Sequence, residues 1–401
     1  MNKKNDEIRR LHVMAKPIGA ACNLDCKYCY YLSKQDLLKY NGEKKLTDIL
    51  LETFIKQYIS AHNSKEIIFT WQGGEPTLLG LDYFKKIVNL QNKYCPKGVT
   101  IHNDLQTNGL LLNAQWCSFL KDNNFFVGLS IDGPIYIHDH YRYTKSKKGS
   151  FNKVFEAAYN LRMYGVSFAT LTCVNDFSAN YPLEIYYFLR DVIQSPQIQF
   201  IPIIEHDTFK NESASQVKEK SKAANLTPWS ISAKQWGEFL CTIFDEWYNK
   251  DIGKVNVIYF ESMYQQWLGM ISPLCTHAPL CGKGLAMEPN GDIYSCDHYV
   301  YPEYRLGNIA DNYLGDMAFS KVQEEFGKSK SNTLTKQCKE CDYLFACYGE
   351  CPKNRISEDI YGNKNHNILC DGWMRFYRHI DKPLSTLITK NGLKVINGNY
   401  K

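Results

Sequence analysis

Three cysteines near the N-terminus have the spacing of a metal-binding loop. Cys22, Cys26 and Cys29 form a CxxxCxxC pattern within the segment CNLDCKYCYY, shortly after an apolar run that begins at Leu11. Thiolates at such short spacings can converge on one soft metal centre, and three are one fewer than a fully ligated four-iron cluster takes. One iron would stay open for a substrate or cofactor, much as catalytic zinc sites keep a vacant position. We interpret these three cysteines, called the trio below, as an open and reactive site.

Eight further cysteines lie in the C-terminal third of the chain. Eight thiolates make two complete sets of four, which predicts two closed sites. Structural zinc is an alternative here, because zinc and iron-sulfur clusters both accept four thiolates and CxxC pairs are typical of zinc sites. The open trio upstream favours iron and sulfur throughout. The eight are Cys275, Cys281, Cys296, Cys338, Cys341, Cys347, Cys351 and Cys370.

Length and composition narrow the roles open to the fifteen cysteines of this chain. A chain of 401 residues can bury a full core without disulfide bonds. The N-terminal segment MNKKNDEIRR is polar and carries no secretion signal, so we expect thiols or metal ligands in a reducing cytoplasm. No run approaches the roughly 18 apolar residues of a membrane span. The net charge of +5 is mild and no long basic block is present, so we expect no nucleic-acid partner.

The elements that must position the trio alternate between strands and helices from residue 11 to about residue 205. Six β/α repeats of this kind imply a parallel sheet that is curved into a barrel or part of one. A polar stretch at 207–227 then predicts an insertion or linker, followed by two more helices near 233–248 and 261–268. The predicted strands begin at residues 11, 66, 99, 125, 166 and 197, and the predicted helices cover about 47–61, 81–94, 113–123, 151–164 and 181–193.

Four motifs lie where predicted strands end. CNLDCKYC follows the first strand, QGGEP the second, QTNG the third and SIDGP the fourth. This is the face on which β/α barrels build active sites. GGEP, TNG and DGP are also good turn sequences when each is taken alone. Their shared location favours a functional role over a purely structural one.

These motifs resemble those of a known enzyme family. CNLDCKYC resembles the signature of radical S-adenosylmethionine (SAM) enzymes, and residues 281–370 resemble a SPASM auxiliary-cluster domain. From the first strand onward, the chain is similar to anaerobic sulfatase-maturating enzymes, with QGGEPTL, LQTNG, GLSIDGP, CDHYV, RLGNI and CYGECPKNR in the expected order. Two further features narrow the resemblance to this family. Cys275 lies six residues before Cys281, and Asp297 directly follows Cys296.

The resemblance implies an α/β fold with a partial (β/α)6 TIM-like radical SAM barrel and a C-terminal SPASM domain that carries two auxiliary iron-sulfur clusters. It implies a barrel at 1–232, linking helices at 233–274, the SPASM domain at 275–371 and a C-terminal segment at 372–401. The implied cofactors are SAM and three [4Fe-4S] clusters, the first held by the trio. Spacing alone leaves open which of the other cysteines share a cluster. The resemblance pairs Cys275, Cys281, Cys296 and Cys351 in the nearer cluster, and Cys338, Cys341, Cys347 and Cys370 in the farther one.

The resemblance also implies roles for individual side chains. Asp297 would accept the proton that the substrate thiol or hydroxyl loses, and Tyr31 would line the same pocket. The alternative for Asp297 is a hydrogen bond that orients the loop at Cys296. Gly73, Gly74 and Glu75 would face the methionine part of SAM, while Gln72, Ser130 and Asp132 would lie near the rest of the cofactor.

The implied reaction converts an active-site cysteine or serine of an unfolded sulfatase, or of a CxPxR-type peptide, to formylglycine. A reductant such as flavodoxin or ferredoxin would supply the electron, and we expect a cytoplasmic monomer. A second interpretation is a radical SAM enzyme that crosslinks or epimerises a ribosomal peptide; many of these carry an N-terminal leader-binding module, and only about ten residues precede the first strand here. A third is a non-catalytic zinc protein, which leaves the missing fourth ligand of the trio unexplained.

Overall fold

One sheet of ten strands runs through the computed structural model, which describes residues 10–38, 45–220, 225–282 and 284–395. The strand order is β10-β9-β8-β1-β2-β3-β4-β5-β6-β7. Strands β1 to β7 pair in parallel with their neighbours, which confirms the predicted partial barrel. The strands are β1 (His12–Ala15), β2 (Glu66–Trp71), β3 (Thr100–Thr107), β4 (Phe125–Ser130), β5 (Ser167–Val174), β6 (Gln197–Pro202), β7 (Asn256–Val257), β8 (Gly284–Met287), β9 (Asp292–Tyr294), β10 (Arg305–Asn308), β11 (Ser357–Glu358) and β12 (Lys364–His366).

The sheet continues from the barrel into the cysteine-rich region. Strand β8 pairs in parallel with β1, and β9 and β10 follow as antiparallel strands. The backbone of Lys16, directly after β1, also donates a hydrogen bond to the Met287 carbonyl (2.9 Å). The ends of β1 and β8 therefore lie side by side, and the loops that follow them face the same region.

The helices of the barrel begin and end largely where the sequence predicts. Helix α2, for example, is capped by Thr47, whose side chain accepts a hydrogen bond from the Leu50 backbone (3.3 Å). Its buried face includes Phe54 and Tyr58 and packs on the sheet. The helices in this half are α1 (Lys34–Leu38), α2 (Asp48–Ala61), α3 (Leu81–Tyr94), α4 (Ala114–Asp122), α5 (Ile135–Tyr141), α6 (Phe151–Met163) and α7 (Pro182–Tyr187).

Two features in this half differ from the prediction. The helix expected at 181–193 is α7 followed by a π-helical turn at Phe188–Val192. The short helix α5 was not predicted, because its seven residues are too few for a clear amphipathic period. Residues 1–9, on which the argument about a secretion signal rests, lie outside the described residues, as does part of the predicted linker at 207–227.

A long C-terminal helix, α15, is the main element that the sequence analysis missed. It crosses α9 at two glycines, Gly237 and Gly372. A Cβ on Gly372 would stand 2.2 Å from the Ala233 carbonyl oxygen, so the close crossing requires glycine there. Because α15 begins at Cys370, it delivers the last cysteine to its site. The helices of this half are α8 (Ala214–Lys220), α9 (Ala233–Lys250), α10 (Ile258–Trp267), α11 (Leu314–Ala318), α12 (Lys321–Asn332), α13 (Lys336–Lys339), α14 (Leu344–Cys347) and α15 (Cys370–Lys390).

Length and apolar content together decide whether a helix can cross a bilayer. None of the helices in the described ranges combines the two to the extent that a membrane span demands.

Candidate active site and iron-sulfur centres

The trio converges at the carboxyl end of β1. Burial raises the pKa of the Cys26 thiol; the Arg142 charge opposes this rise, and the charges of Cys29 and Cys22 add to it. Burial also raises the pKa of Cys22 to about 11. Buried thiols of this kind stay protonated on their own, and a bound metal is what favours their thiolate form. The three donors therefore fit a metal cluster that stabilises them as anions.

A pair of glycines holds the loop that carries the trio. The Gly74 backbone donates to the Gly19 carbonyl (2.8 Å), and the Glu75 backbone donates to the Ala21 carbonyl (2.9 Å). A Cβ on Gly74 would stand 2.0 Å from the Ala21 oxygen, so this contact excludes any other residue. Gly73 has a φ of +124°, which also favours glycine. The loops after β1 and β2 are thus joined directly before Cys22.

The Glu75 carboxylate joins the loops after β2 and β3. It is fully buried and accepts hydrogen bonds from the Thr77 backbone (3.0 Å), the Thr107 hydroxyl (2.8 Å) and the Asn108 backbone (2.7 Å). The side-chain amide of Asn108 in turn lies 3.7 Å from the Cys22 sulfur. The GGEP and QTNG motifs, which the sequence suggested as a shared site, therefore meet beside the trio.

A buried ion pair lies on the other side of the trio. Asp132 accepts from the Arg142 Nε (3.0 Å) and from the Cys173 backbone (3.0 Å), and it also bonds the Tyr28 hydroxyl. An Nη of Arg142 lies 4.0 Å from the Cys26 sulfur. Asp132 therefore positions Arg142, which the sequence analysis missed because the arginine follows a short helix outside the four motifs.

Two other predicted cofactor residues lie at strand ends. Ser130 is the last residue of β4 and is buried. Gln72 directly follows β2, and its backbone donates to the Ala15 carbonyl (2.9 Å). Both positions belong to the same edge of the sheet as the trio, which is where the carboxyl ends of parallel strands meet.

Asp297 lies between two partners from the trio loop and its strand. It forms an ion pair with Lys16, which is almost fully buried at the end of β1, and it accepts a hydrogen bond from the Tyr30 hydroxyl (2.6 Å). Burial favours a raised pKa, but the charges of Lys16 and His298 outweigh it and hold the pKa of Asp297 below its ordinary value. Asp297 is therefore held in its carboxylate form between Lys16 and Tyr30.

Tyr31 and Tyr30 contact different carboxylates. The Tyr31 hydroxyl donates to the fully buried Glu288 (2.6 Å), and its ring lies 3.6 Å from the Lys16 ammonium. Lys16 thus separates the Tyr31 ring from Asp297. Tyr30, which the sequence analysis did not single out, is the tyrosine that bonds Asp297. The two consecutive tyrosines directly after Cys29 are the sequence feature that could have indicated Tyr30 as a site residue.

Four cysteines of the second group are electrostatically coupled to one another, and we call them centre I. Burial raises the pKa of the Cys351 thiol, and the nearby charges of Glu350, Cys281 and Cys275 add to the rise. The pKa of Cys296 is raised in the same way by burial and then by Cys351, with Cys275 contributing as well. Centre I comprises Cys275, Cys281, Cys296 and Cys351.

The other four cysteines line one cavity, which we call centre II. The cavity has a volume of about 710 Å³. Burial raises the pKa of the Cys370 thiol, and the charges of Cys347, Cys338 and Cys341 add to the rise. The Met374 sulfur lies 3.5 Å from that of Cys341. Centre II comprises Cys338, Cys341, Cys347 and Cys370.

The number of thiols at each centre suits an iron-sulfur cluster. In the described parts of the chain, no group of three or more His, Cys, Asp or Glu side chains has the arrangement needed to hold a single metal ion. Four cysteines are the full ligand set of a [4Fe-4S] cluster, and each of the two centres offers four.

Comparisons with known proteins agree with this architecture. The radical SAM superfamily matches residues 17–189, and an iron-sulfur cluster-binding domain, SPASM, matches residues 280–342. A serine-type anaerobic sulfatase-maturating enzyme of Bacteroides thetaiotaomicron is 46% identical over 92% of this chain and 89% of its own length. A cysteine-type enzyme of Clostridium novyi is 33% identical over 95% of this chain and 97% of its own.

A solved structure is also similar over nearly the whole chain. Native anSMEcpe with bound AdoMet and Cp18Cys peptide has a TM-score of 0.82 and 30% identity, covering 95% of this chain and 99% of that one. These relatives favour the sulfatase interpretation over a peptide-crosslinking enzyme or a zinc protein. The chain belongs to the anaerobic sulfatase-maturating enzymes of the radical SAM superfamily.

Proposed function

We propose that this chain oxidises an active-site cysteine or serine of a sulfatase to Cα-formylglycine. The observation that carries the proposal is the 46% identity to a serine-type sulfatase-maturating enzyme over 92% of the chain. The reaction removes two electrons and two hydrogens from the side chain, one hydrogen from Cβ and one proton from the thiol or hydroxyl. It therefore needs a hydrogen acceptor, a proton acceptor and an electron acceptor.

The trio and the loops beside it provide for the hydrogen acceptor. SAM, when bound to a reduced [4Fe-4S] cluster, would supply the radical chemistry that removes the Cβ hydrogen. Cys22, Cys26 and Cys29 would hold that cluster and would leave one iron for SAM. We assign the methionine end of SAM to the loop of Gly73, Gly74 and Glu75, and the remainder to Gln72, Ser130 and Asp132. Protein groups already bond the carboxylates of Glu75 and Asp132. Glu75 therefore serves by joining the loops after β2 and β3, and Asp132 serves by positioning Arg142.

Asp297 supplies the second function. Its carboxylate is ionised, buried and held at two points, by Lys16 and by Tyr30. A positioned carboxylate of this kind can accept the proton that the substrate hydroxyl or thiol loses during oxidation. Tyr31 acts on the same pocket through Lys16, whose ammonium it contacts.

Centres I and II supply the third function. Each offers four cysteines, and a fully ligated cluster has no open iron with which to bind substrate. Such centres are suited to electron transfer. We assign the nearer auxiliary cluster to Cys275, Cys281, Cys296 and Cys351, and the farther one to Cys338, Cys341, Cys347 and Cys370.

The proposed partners follow from the same reaction. The substrate is an unfolded sulfatase segment or a CxPxR-type peptide, and a small one-electron carrier such as flavodoxin or ferredoxin supplies the electron. We infer that the enzyme acts as a monomer in the cytoplasm, where fifteen cysteines stay reduced.

The test incubates anaerobically reconstituted protein with SAM, a reductant and either a CxPxR or an SxPxR peptide. The expected result is an aldehyde, trapped as an oxime, together with an equal amount of 5′-deoxyadenosine. Comparing the two peptides also measures the preference between cysteine and serine. 5′-Deoxyadenosine without any aldehyde in either peptide would reject the sulfatase function while leaving radical chemistry in place.

A further inference from the structure

A buried lysine lies at centre I with no role in the steps above. Lys330 stands in the last turn of α12 and is fully buried. Its ammonium donates to the main-chain carbonyls of Cys275 (2.7 Å) and Thr276 (2.8 Å). Both partners are neutral groups, and a buried cation is costly unless negative charge lies nearby. Burial lowers the pKa of Lys330, and the nearby charges of Cys281, Cys351 and Glu350 oppose that fall, so the thiolates of a cluster at centre I would stabilise the ammonium.

The Lys330 ammonium is held on the loop that carries one ligand of centre I. Its two hydrogen bonds go to the carbonyl of Cys275 itself and to that of the next residue. Centre II also has a cation nearby, since burial raises the pKa of Cys341 and the charge of Arg378 opposes this rise, but Arg378 is exposed to solvent. Lys330 is a fully buried cation at centre I.

Arg355 fixes the position of this lysine. Its guanidinium is almost fully buried and donates to the Lys330 carbonyl (2.7 Å), to the Gly349 carbonyl (2.9 Å) and to the Tyr348 carbonyl (2.7 Å). The end of α12 is therefore tied to the segment between Cys347 and Cys351. Arg355 thus fixes the backbone of Lys330, and the ammonium can leave the Cys275 loop only by breaking its own bonds to two carbonyls.

We propose that Lys330 raises the reduction potential of the cluster at centre I, so that this centre accepts the electron released during substrate oxidation. The inference rests on the proposed function and on its assignment of cysteines to centre I. A reduced cluster carries one more negative charge than an oxidised one, and a fixed cation beside it stabilises that state. Net charge and hydrogen bonding are among the factors that set cluster potentials.

The electron balance of this step is simple. After loss of its Cβ hydrogen, the substrate radical gives one electron to centre I and one proton to Asp297. The carbon then forms a double bond to oxygen or sulfur, and centre I is reduced by one electron. Lys330 contacts neither substrate nor SAM in this scheme, so it is a positioning residue for the acceptor.

The test is a redox titration of the full-length chain, followed by electron paramagnetic resonance. Cys22, Cys26 and Cys29 are replaced by Ala in every sample, so that only the auxiliary centres contribute signals. Lys330→Gln should shift the midpoint potential of one centre to more negative values by at least about 59 mV. For one electron this is a tenfold change in the equilibrium constant. The other midpoint should stay unchanged.

Two matched variants serve as controls. Lys330→Arg keeps the cation and should leave both midpoints near their original values. Lys328→Gln removes a lysine of the same helix whose side chain is 55% exposed and pairs with Glu324, and it should shift neither midpoint.

Two results would overturn the proposal. The first is a Lys330→Gln chain that keeps its iron and shows unchanged midpoints. The second is a Lys330→Gln chain that loses about four irons, which would assign the lysine to holding the Cys275 loop. The titration uses no peptide, so either result bears only on Lys330. Formylglycine formation by the unaltered chain is tested separately by the peptide assay.

Discussion

The trio and the auxiliary centres hold their thiols in different ways. The trio lies within a single loop after β1, and the neighbouring barrel loops secure it through Gly19, Gly74 and Asn108. Centres I and II each gather cysteines from several segments, which Lys330, Arg355 and the helix α15 tie together.

This difference matches a difference in chemistry. On the proposed assignment, three thiols from one loop would leave one iron open for SAM. Four thiols from several segments would close a cluster completely, which suits electron transfer. Asp297 connects the two regions, because it follows Cys296 of centre I and pairs with Lys16 of the barrel.

The largest effect is expected from removing the open site. Replacing Cys22, Cys26 and Cys29 by Ala should abolish SAM cleavage, since no iron remains to bind SAM. Iron content should fall from about twelve to about eight per chain, because the auxiliary centres fold around their own ligands. Iron and sulfide analysis with chromatography of 5′-deoxyadenosine measures both. Loss of all the iron would contradict the independence of the two regions.

Removing one ligand of centre II should affect formylglycine formation more than SAM cleavage. Cys370→Ala should abolish formylglycine formation, whereas 5′-deoxyadenosine should still form, because SAM cleavage needs only the trio. The measurement is the ratio of aldehyde to 5′-deoxyadenosine, with Cys95→Ala as a control at a cysteine outside both centres. An unchanged ratio in the Cys370 variant would remove centre II from the electron route.

A smaller loss is expected from the residue that connects the regions. Asp297→Asn should slow formylglycine formation by about 10² to 10⁴ while iron content stays constant, because an amide cannot take the substrate proton. Asp311→Asn, at an exposed aspartate of the same domain, is the control and should leave the rate of formylglycine formation unchanged. Turnover at the original rate would reduce Asp297 to an orienting role for the Cys296 loop.

The smallest effect should come from the hydroxyl that orients Asp297. Tyr30→Phe removes one hydrogen bond to a charged group, which contributes about 1.5 kcal/mol and corresponds to roughly tenfold in rate. SAM cleavage without peptide and iron content should stay unchanged. Tyr159→Phe, at an exposed tyrosine of α6, gives the comparison. A Tyr30 variant with full activity would show that Lys16 alone is sufficient to position the carboxylate.

The sequence predicted those features that depend on local patterns. The strands of the barrel follow from apolar runs, and QGGEP and QTNG mark the ends of β2 and β3, where Glu75 joins their loops. These elements could be predicted because hydrophobic period and turn chemistry act over a few residues.

Long-range contacts account for what the sequence analysis missed. Lys16 meets Asp297, and Arg142 meets Cys26, only because the sheet brings their segments together. Strand β8 extends the barrel sheet beside β1, which no local pattern marks. Helix α15 differs, because its buried residues Trp373, Phe376, Ile380 and Leu384 recur at helical spacing, so a local pattern for it was present in the sequence.

The most direct test of the division between open and closed centres follows one hydrogen atom. A peptide deuterated at Cβ of its target serine or cysteine is incubated with the reconstituted chain, SAM and a reductant, and the products are analysed by mass spectrometry. Deuterium should appear in 5′-deoxyadenosine in equal amount to the aldehyde, with about twelve irons per chain. 5′-Deoxyadenosine without deuterium beside an unmodified peptide would contradict the account.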